Sequence, residues 1–210
     1  MHSDHPTLPS HELTICRGSR SCPHAIPAAN LQRDIEAGVR DSGWAELVTG
    51  KVHPVRRHHQ FRIAVAMCPN GCSRPHIADF GLIATARIAV HPDRCSSCGL
   101  CLDACAENAL RITPRLTLDA RQCLGCTACV RACPTGAIAE MSYGYKVVLG
   151  GKLGRHPRLA HKLGIFSPDQ ALHVLTRSLH VLMANYRPGL RLGQLVAEMG
   201  QDNFNRQVRP

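Results

Sequence analysis

Alternating apolar and polar positions along the chain predict strands at three places. Segment 61–66 (FRIAVA) alternates apolar with polar or small residues and runs into a PNG turn at 69–71, which is the pattern of a half-buried strand followed by a tight turn. Segments 80–90 and 143–149 are two further strand candidates. They flank a cysteine-rich stretch, 91–140, which we therefore interpret as an insertion between two strands of one domain.

Helical spacing of apolar residues predicts helices near both ends of the chain. Segment 27–40 (PAANLQRDIEAGVR) ends near Gly43, and three apolar residues fall on one of its faces: Leu31, Ile35 and Val39. A short helix is predicted over 192–199, with Gly200 as its stop.

A longer helix is predicted to begin after Ser167. Pro168 suits the first helical position, and Gln170 can complete a capping box with Ser167. The helix ends before Pro188-Gly189, and its buried stripe consists of Leu172, Leu175, Leu179 and Leu182. Strands and helices together predict an α+β fold.

The cysteines form an internal repeat. The chain has twelve cysteines in 210 residues, and the spacing CxxCxxCxxxC occurs twice, 28 residues apart. Two-residue gaps let three thiolates surround a cubane iron–sulfur cluster, while the fourth cysteine of each run ligates the other cluster. The repeat resembles the bacterial two-cluster ferredoxins. One [4Fe-4S] cluster is thus predicted at Cys95, Cys98, Cys101 and Cys133, and another at Cys123, Cys126, Cys129 and Cys105.

Zinc and disulfides are the alternatives for this repeat. Zinc sites usually show separated CxxC pairs rather than four cysteines within eleven residues. Disulfides do not suit the reducing cytoplasm, where we expect the protein because its N-terminus has no apolar leader and its sequence no apolar run long enough to cross a membrane. Under the cluster interpretation, apolar segments 109–112 and 137–139 would form one small strand in each half of the insert.

The other four cysteines form two spaced pairs. Cys16 and Cys22 lie in CRGSRSC, and Cys68 and Cys72 lie in CPNGC at the end of the predicted 61–66 strand. The plain alternative is four unrelated free cysteines packed as small hydrophobic residues.

The pairs and their surroundings resemble the cluster-binding module of siroheme-dependent sulfite and nitrite reductases. An inserted two-cluster ferredoxin is the layout of dissimilatory sulfite reductases and of the C subunit of anaerobic sulfite reductase. The resemblance covers nearly the whole chain. It rests on the segments TICRG (14–18), SC (21–22), IAV (63–65), CPNGCSRPH (68–76), DFG (79–81), VVLGGK (147–152) and LVAEMG (195–200).

This resemblance implies a sulfite-reductase-like α/β half-module, 1–90 and 141–210, with a ferredoxin domain inserted at 91–140. It implies a third [4Fe-4S] cluster at Cys16, Cys22, Cys68 and Cys72, with Cys72 as the bridge to a siroheme iron. The implied catalytic residues are Cys72, Arg74 and Lys152, and the implied cofactor-binding residues are Arg62, Arg74, Lys152 and Arg155. The neighbouring basic residues Arg56, Arg57, His58 and His59 are instead expected to form a solvated edge.

Two functions stay open at this point. The chain is either a reductase subunit that uses siroheme to reduce sulfite or nitrite, or a three-cluster electron-transfer protein without siroheme that serves a separate catalytic partner. Either function needs an electron donor protein, and the first also needs a second reductase subunit or a homodimer mate. The formal charge of +10 raises the question of nucleic acid. Scattered cations and only 4% aromatic residues argue against it.

Overall fold

A mixed five-stranded sheet forms the centre of the computed structural model, which describes residues 7–16, 22–26 and 28–210. In spatial order its strands are β1 (His11–Ile15), β2 (Phe61–Ala66), β3 (Phe80–Val90), β6 (Ile138–Leu149) and β7 (His161–Phe166). The first three run parallel, whereas β6 is antiparallel to both β3 and β7. A separate pair contains β4 (Leu110–Arg111) and β5 (Thr117–Leu118). The predicted bounds of β2 and β3 are confirmed.

Helices cover one face of this sheet. They are α1 (Leu31–Asp41), α2 (Trp44–Lys51), α5 (Pro168–Ala184), α6 (Leu192–Met199) and α7 (Gln201–Val208). Alternate strand residues meet the helices in the main core, whose largest buried side chains include Trp44, Phe61, Phe80, Tyr145 and Leu179. Burying each such side chain stabilises the fold by about 1.5–3 kcal/mol. On the opposite face a small apolar cluster of Ala66, Ile83 and Val148 packs with Ala160.

The cysteine-rich region is carried at the tip of a long hairpin. β3 and β6 pair from Phe80–Leu149 to Val90–Ile138, with an irregularity between Arg87 and Ile88. Strand β6 therefore starts at Ile138 rather than at the predicted 143, because residues 88–90 supply its partner. The strand predicted at 137–139 is present from Ile138, but it is the beginning of β6 rather than a separate small strand. Its counterpart at 109–112 appears as β4. Two short helices complete the region, α3 (Leu100–Asp103) and α4 (Ala128–Ala132).

The helix ends follow their sequence signals. Gln170 N donates to Ser167 Oγ at 3.3 Å and Ser167 N donates to Gln170 Oε1 at 3.1 Å, so the predicted capping box is confirmed. Helix α1 begins at Leu31, four residues after Pro27, which lies outside the described residues. Helix α6 ends at Met199 and is stopped by Gly200, as predicted. Strands β1 and β7 and helices α2 and α7 were not predicted. In the described ranges, no helix is long and apolar enough to span a membrane.

Candidate functional site

The two cysteine repeats fold into loops with the same backbone. Residues 28 apart share the left-handed conformation: Ser97 and Gly125 have φ of 57° and 68°, Gly99 and Thr127 have 83° and 61°, and Asn108 and Gly136 have 51° and 67°. In both loops a backbone N–H donates to the first cysteine sulfur over 3.4 Å, from Ser97 to Cys95 and from Gly125 to Cys123. The sequence repeat is therefore a structural repeat.

One group of thiols contains Cys95, Cys98, Cys101 and Cys133, called the first set below. Burial raises the pKa of the Cys101 thiol, and the nearby thiols Cys95, Cys133 and Cys98 raise it further. The same four cysteines line one small cavity. Burial also acts to raise the pKa of Cys133, but hydrogen bonds from the Thr135 hydroxyl and from backbone N–H groups outweigh it, so this pKa is lowered. The structure thus brings Cys133 to the cysteines of the other repeat.

The second set contains Cys105, Cys123, Cys126 and Cys129. Burial raises the pKa of the Cys129 thiol to about 11, and the nearby thiols Cys123, Cys126 and Cys105 contribute to the increase. Ala109 N donates to Cys105 Sγ over 3.3 Å, which orients this thiol. The spacing predicted that the two repeats exchange their fourth cysteines. In the structure, Cys105 indeed lies near the cysteines of the second repeat, and Cys133 lies near those of the first.

The second loop lies directly against the central sheet. The Thr85 hydroxyl donates to Leu124 O at 2.8 Å, and Ala86 N donates to Gly125 O at 2.9 Å. A Cβ on Gly125 would lie 2.3 Å from Ala86 O and 2.4 Å from Thr85 Oγ1. Only glycine fits this close approach, which fixes the second set on β3.

The third set contains Cys16, Cys22, Cys68 and Cys72. Strand β1 leads to Cys16, whose sulfur accepts a hydrogen bond from Met67 N at 3.3 Å, and strand β2 leads to Cys68. Burial raises the pKa of the Cys68 thiol; a hydrogen bond from Asn70 N–H opposes this, and three nearby thiols add to the increase: Cys22, Cys72 and Cys16. Residues 17–21, part of the family-like TICRG and SC segments, lie outside the described residues.

A single zinc ion and a cubane cluster need different spacings of their cysteine ligands. Sulfurs about 2.3 Å from one tetrahedral zinc ion are about 3.8 Å apart. In residues 7–16, 22–26 and 28–210, no three His, Cys, Asp or Glu side chains are close enough to hold one metal ion. In each set, however, the other three thiols help to raise the pKa of one buried thiol: Cys101, Cys129 or Cys68. The four cysteines of a set therefore lie near one another, as the four ligands of a cubane do. All twelve cysteines lie in the described ranges and are free thiols, so no disulfide competes.

A cavity of about 300 Å³ joins the second and third sets. It is lined by Cys68 and by all four cysteines of the second set. His24, which follows Cys22 in the chain, also lines it and lies 3.4 Å from Arg131 of α4. No residue of the first set is among those that line it. The second set therefore lies between the third set and the rest of the cysteine-rich region.

A separate cavity of about 420 Å³ opens beside Cys72 on the face of the sheet that lacks helices. Its lining includes Arg62 of β2 and Arg74, both predicted from the sequence, together with Arg57. Arg57 is exposed, as expected for a solvated edge, and it also lines the opening of this cavity. An exposed thiol and three guanidinium groups thus share one opening.

Comparison with known proteins identifies the fold. Residues 11–210 match the family model described as the nitrite and sulphite reductase 4Fe-4S domain. The chain belongs to this family. The coenzyme F420-dependent sulfite reductase of Methanocaldococcus jannaschii is 32% identical over 154 residues, which is 72% of this chain and 25% of that protein. The C subunit of the anaerobic sulfite reductase of Salmonella typhimurium is 28% identical over 98 residues, covering 47% of this chain and 25% of that protein. The chain thus matches about a quarter of each relative's length.

Two solved structures share the fold. Dissimilatory sulfite reductase I aligns with a TM-score of 0.65 at 16% identity, over 98% of this chain and 54% of that one. The NirA protein of Mycobacterium tuberculosis aligns with a TM-score of 0.52 at 16% identity, over 91% of this chain and 26% of that one. The sulfite-reductase-like α+β fold expected from the sequence is confirmed.

Two predicted site residues are absent from the lining of the cavity beside Cys72, called the arginine cavity below, although Leu153 between them is part of it. Lys152 is half-buried and exchanges two backbone hydrogen bonds of 2.9 Å with Arg158, and Arg155 is exposed between them. Neither residue is among those lining the cavity at Cys72. Their assignment to a cofactor stays a prediction.

An ion pair with a buried carboxylate just before β3 was missed by sequence reasoning. Asp79, only 1% exposed, accepts hydrogen bonds from Arg191 Nε at 3.0 Å and from Arg62 N at 3.0 Å. In the sequence, Asp79 was noted only as part of the family-like DFG segment, with no partner or role. Its partner lies 112 residues away, and no local pattern could have revealed it. The pair anchors the segment between the Cys72 loop and β3.

Proposed function

We propose that the chain is the electron-transfer module of a sulfite or nitrite reductase, with three [4Fe-4S] clusters and a siroheme beside Cys72. The first, second and third sets would each hold one cluster. The observation that carries the proposal is the cavity shared by Cys68 and the second set, because it connects the ferredoxin-like loops to the reductase sheet. On this basis, 91–140 is a ferredoxin domain inserted in a half-module of 1–90 and 141–210.

When bound, the clusters supply one-electron transfer and siroheme supplies an iron at which an oxyanion can be reduced. The protein's own residues would bind these groups and orient the anion. Backbone N–H groups donate to cysteine sulfurs in all three sets, which orients these side chains. Arg62 and Arg74 present positive charge and bidentate donors to carboxylates or oxyanions near Cys72.

The open side of the Cys72 cavity is where a partner protein would bind. Cys72 and Arg74 are exposed, and the chain matches only about a quarter of its relatives' length. A second reductase subunit, or a second copy of this chain, would complete the wall, and an electron donor protein would supply the first set. The same exposure favours a second candidate function, a three-cluster electron-transfer protein that serves a catalytic partner without binding siroheme itself.

Metal analysis and a visible spectrum of anaerobically purified protein test the proposal. We expect about twelve iron atoms per chain, four for each Cys₄ cubane, together with haem-like bands of siroheme. The variant Cys72→Ser should lose the third-set cluster and these bands, whereas the control Cys98→Ser should lose only the first-set cluster.

The outcomes separate the two candidates. Twelve iron atoms without siroheme bands, even after reconstitution, would leave the electron-transfer protein as the function. A value near eight would mean that the third set holds no cluster and would contradict both.

A further inference from the structure

Glu12 and Arg62 face each other on neighbouring strands at the arginine cavity. They are direct partners in the parallel pairing of β1 with β2. Because Leu13 and Ile63 point into the helix-side core, alternation places Glu12 and Arg62 on the opposite face. Glu12 Oε2 lies 3.3 Å from Arg62 Nε. A carboxylate therefore sits beside one of the three arginines of the cavity.

Glu12 is the acidic residue among those that line this cavity. Its charge opposes those of Arg57, Arg62 and Arg74, leaving a net of two positive charges. Two polar atoms of the lining residues, Arg62 Nε and Ser73 Oγ, are buried without a hydrogen-bond partner in the part of the chain that the structure describes. The 3.3 Å approach of Glu12 does not have hydrogen-bond geometry, so it pairs charge with Arg62 without satisfying Nε. Buried donors without partners point to a ligand that accepts hydrogen bonds.

The contact between Glu12 and Arg62 is weak enough to be displaced. Their side chains are 39% and 31% exposed, and partly solvated ion pairs contribute little. A small oxyanion offers several acceptor oxygens to guanidinium groups and to a serine hydroxyl. It would compete with the Glu12 carboxylate for the same guanidinium.

We propose that Glu12 is an internal counter-ion of the arginine cavity. By pairing with Arg62, Glu12 lowers the affinity of the cavity for anionic oxygen groups. Glu12 thereby determines which anions the cavity holds: only one that outcompetes a built-in carboxylate occupies it. The inference deepens the proposed function and rests on it for the identity of the anion, which is an oxyanion substrate or a cofactor carboxylate.

Anion titration of the full chain, reconstituted with clusters but free of siroheme, tests the inference by calorimetry. The probes are sulfite and, for the carboxylate source, acetate. Glu12→Gln should tighten binding about three- to fivefold, the size of a partly exposed ion pair. A larger gain for sulfite assigns the cavity to an oxyanion, and a larger gain for acetate assigns it to a carboxylate. Unchanged affinity for both probes would overturn the proposal.

Matched variants separate competition from a change in overall charge or in folding. Glu46→Gln, at an exposed position on α2, removes the same charge on the helix side and should leave both affinities unchanged. In an Arg62→Gln background, Glu12→Gln should give no gain, because the guanidinium for which it competes is gone. A gain that persists there would contradict the proposal. If Glu12→Gln folds poorly, Glu12→Ala makes the same test.

The test is independent of the proposed function's own test. Failure of the proposed function appears in the iron count and the siroheme bands. Failure of the Glu12 inference appears only in sulfite and acetate affinities measured without siroheme.

Discussion

The two cysteine loops have the same backbone but different surroundings. The second loop lies against β3 through Thr85 and Gly125, and its cysteines share a cavity with Cys68. The first loop is open: Cys98 is exposed, Leu100 is 49% exposed, and a Cβ on Gly99 would meet nothing within 4 Å.

Local spacing thus sets the shape of each loop, and the contacts around it set its role. The second loop is internal, beside the reductase sheet, while the first faces the surroundings. On the proposed function, the first set is the one that a donor protein can approach, and the second set passes electrons inward.

The largest expected effect comes from the cysteines exchanged between the loops. Cys133→Ser should remove the cluster of the first set, and Cys105→Ser should remove that of the second, each lowering the iron content from about twelve to about eight per chain. On the proposed function, the second cluster adjoins the third. Electron paramagnetic resonance of the reduced protein should therefore lose cluster–cluster interaction with the third set only in Cys105→Ser. The reverse assignment would contradict the proximities of the three sets.

Sequence reasoning succeeded where the signal is local. The alternation in FRIAVA placed β2, and the Ser167–Gln170 box placed the start of α5. The repeat spacing predicted a grouping of cysteines that the structure reproduces in space, although their ligation of clusters stays a proposal.

What sequence reasoning missed depends on distant partners. Strand β7 is defined by its pairing with β6, and Asp79 by an arginine 112 residues along the chain. Arg57 is exposed, as expected, but nothing in its sequence surroundings indicates that it also lines the cavity at Cys72. Nothing in the two loop sequences indicates which one contacts the sheet, since that contact depends on Thr85 in β3.

A methyl group added to each loop should sharpen the comparison. Gly125→Ala places a Cβ against Ala86 O and Thr85 Oγ1 at a φ of 68°, so overpacking adds to backbone strain, with an expected loss of about 3 kcal/mol in unfolding free energy. The control Gly99→Ala has a φ of 83° but open space, and strain alone costs about 1 kcal/mol. Anaerobic denaturation measures the unfolding free energy of both variants, and iron analysis checks that they carry the same clusters. Equal losses would mean that the contact with β3 does not distinguish the loops.

The smallest expected effect isolates a single hydrogen bond of that contact. Thr85→Val keeps the branched shape but removes the hydroxyl that donates to Leu124 O at 2.8 Å, which should cost about 1 kcal/mol. Backbone amide exchange should then become faster at 124–126 and stay unchanged at 96–98, because the first loop makes no use of Thr85. Thr117→Val, at an exposed position in β5, controls for the loss of a hydroxyl as such. Faster amide exchange in both loops would mean that they open as one unit. The internal position of the second loop would then depend on the hairpin that carries both loops, and not on its own contact with the sheet.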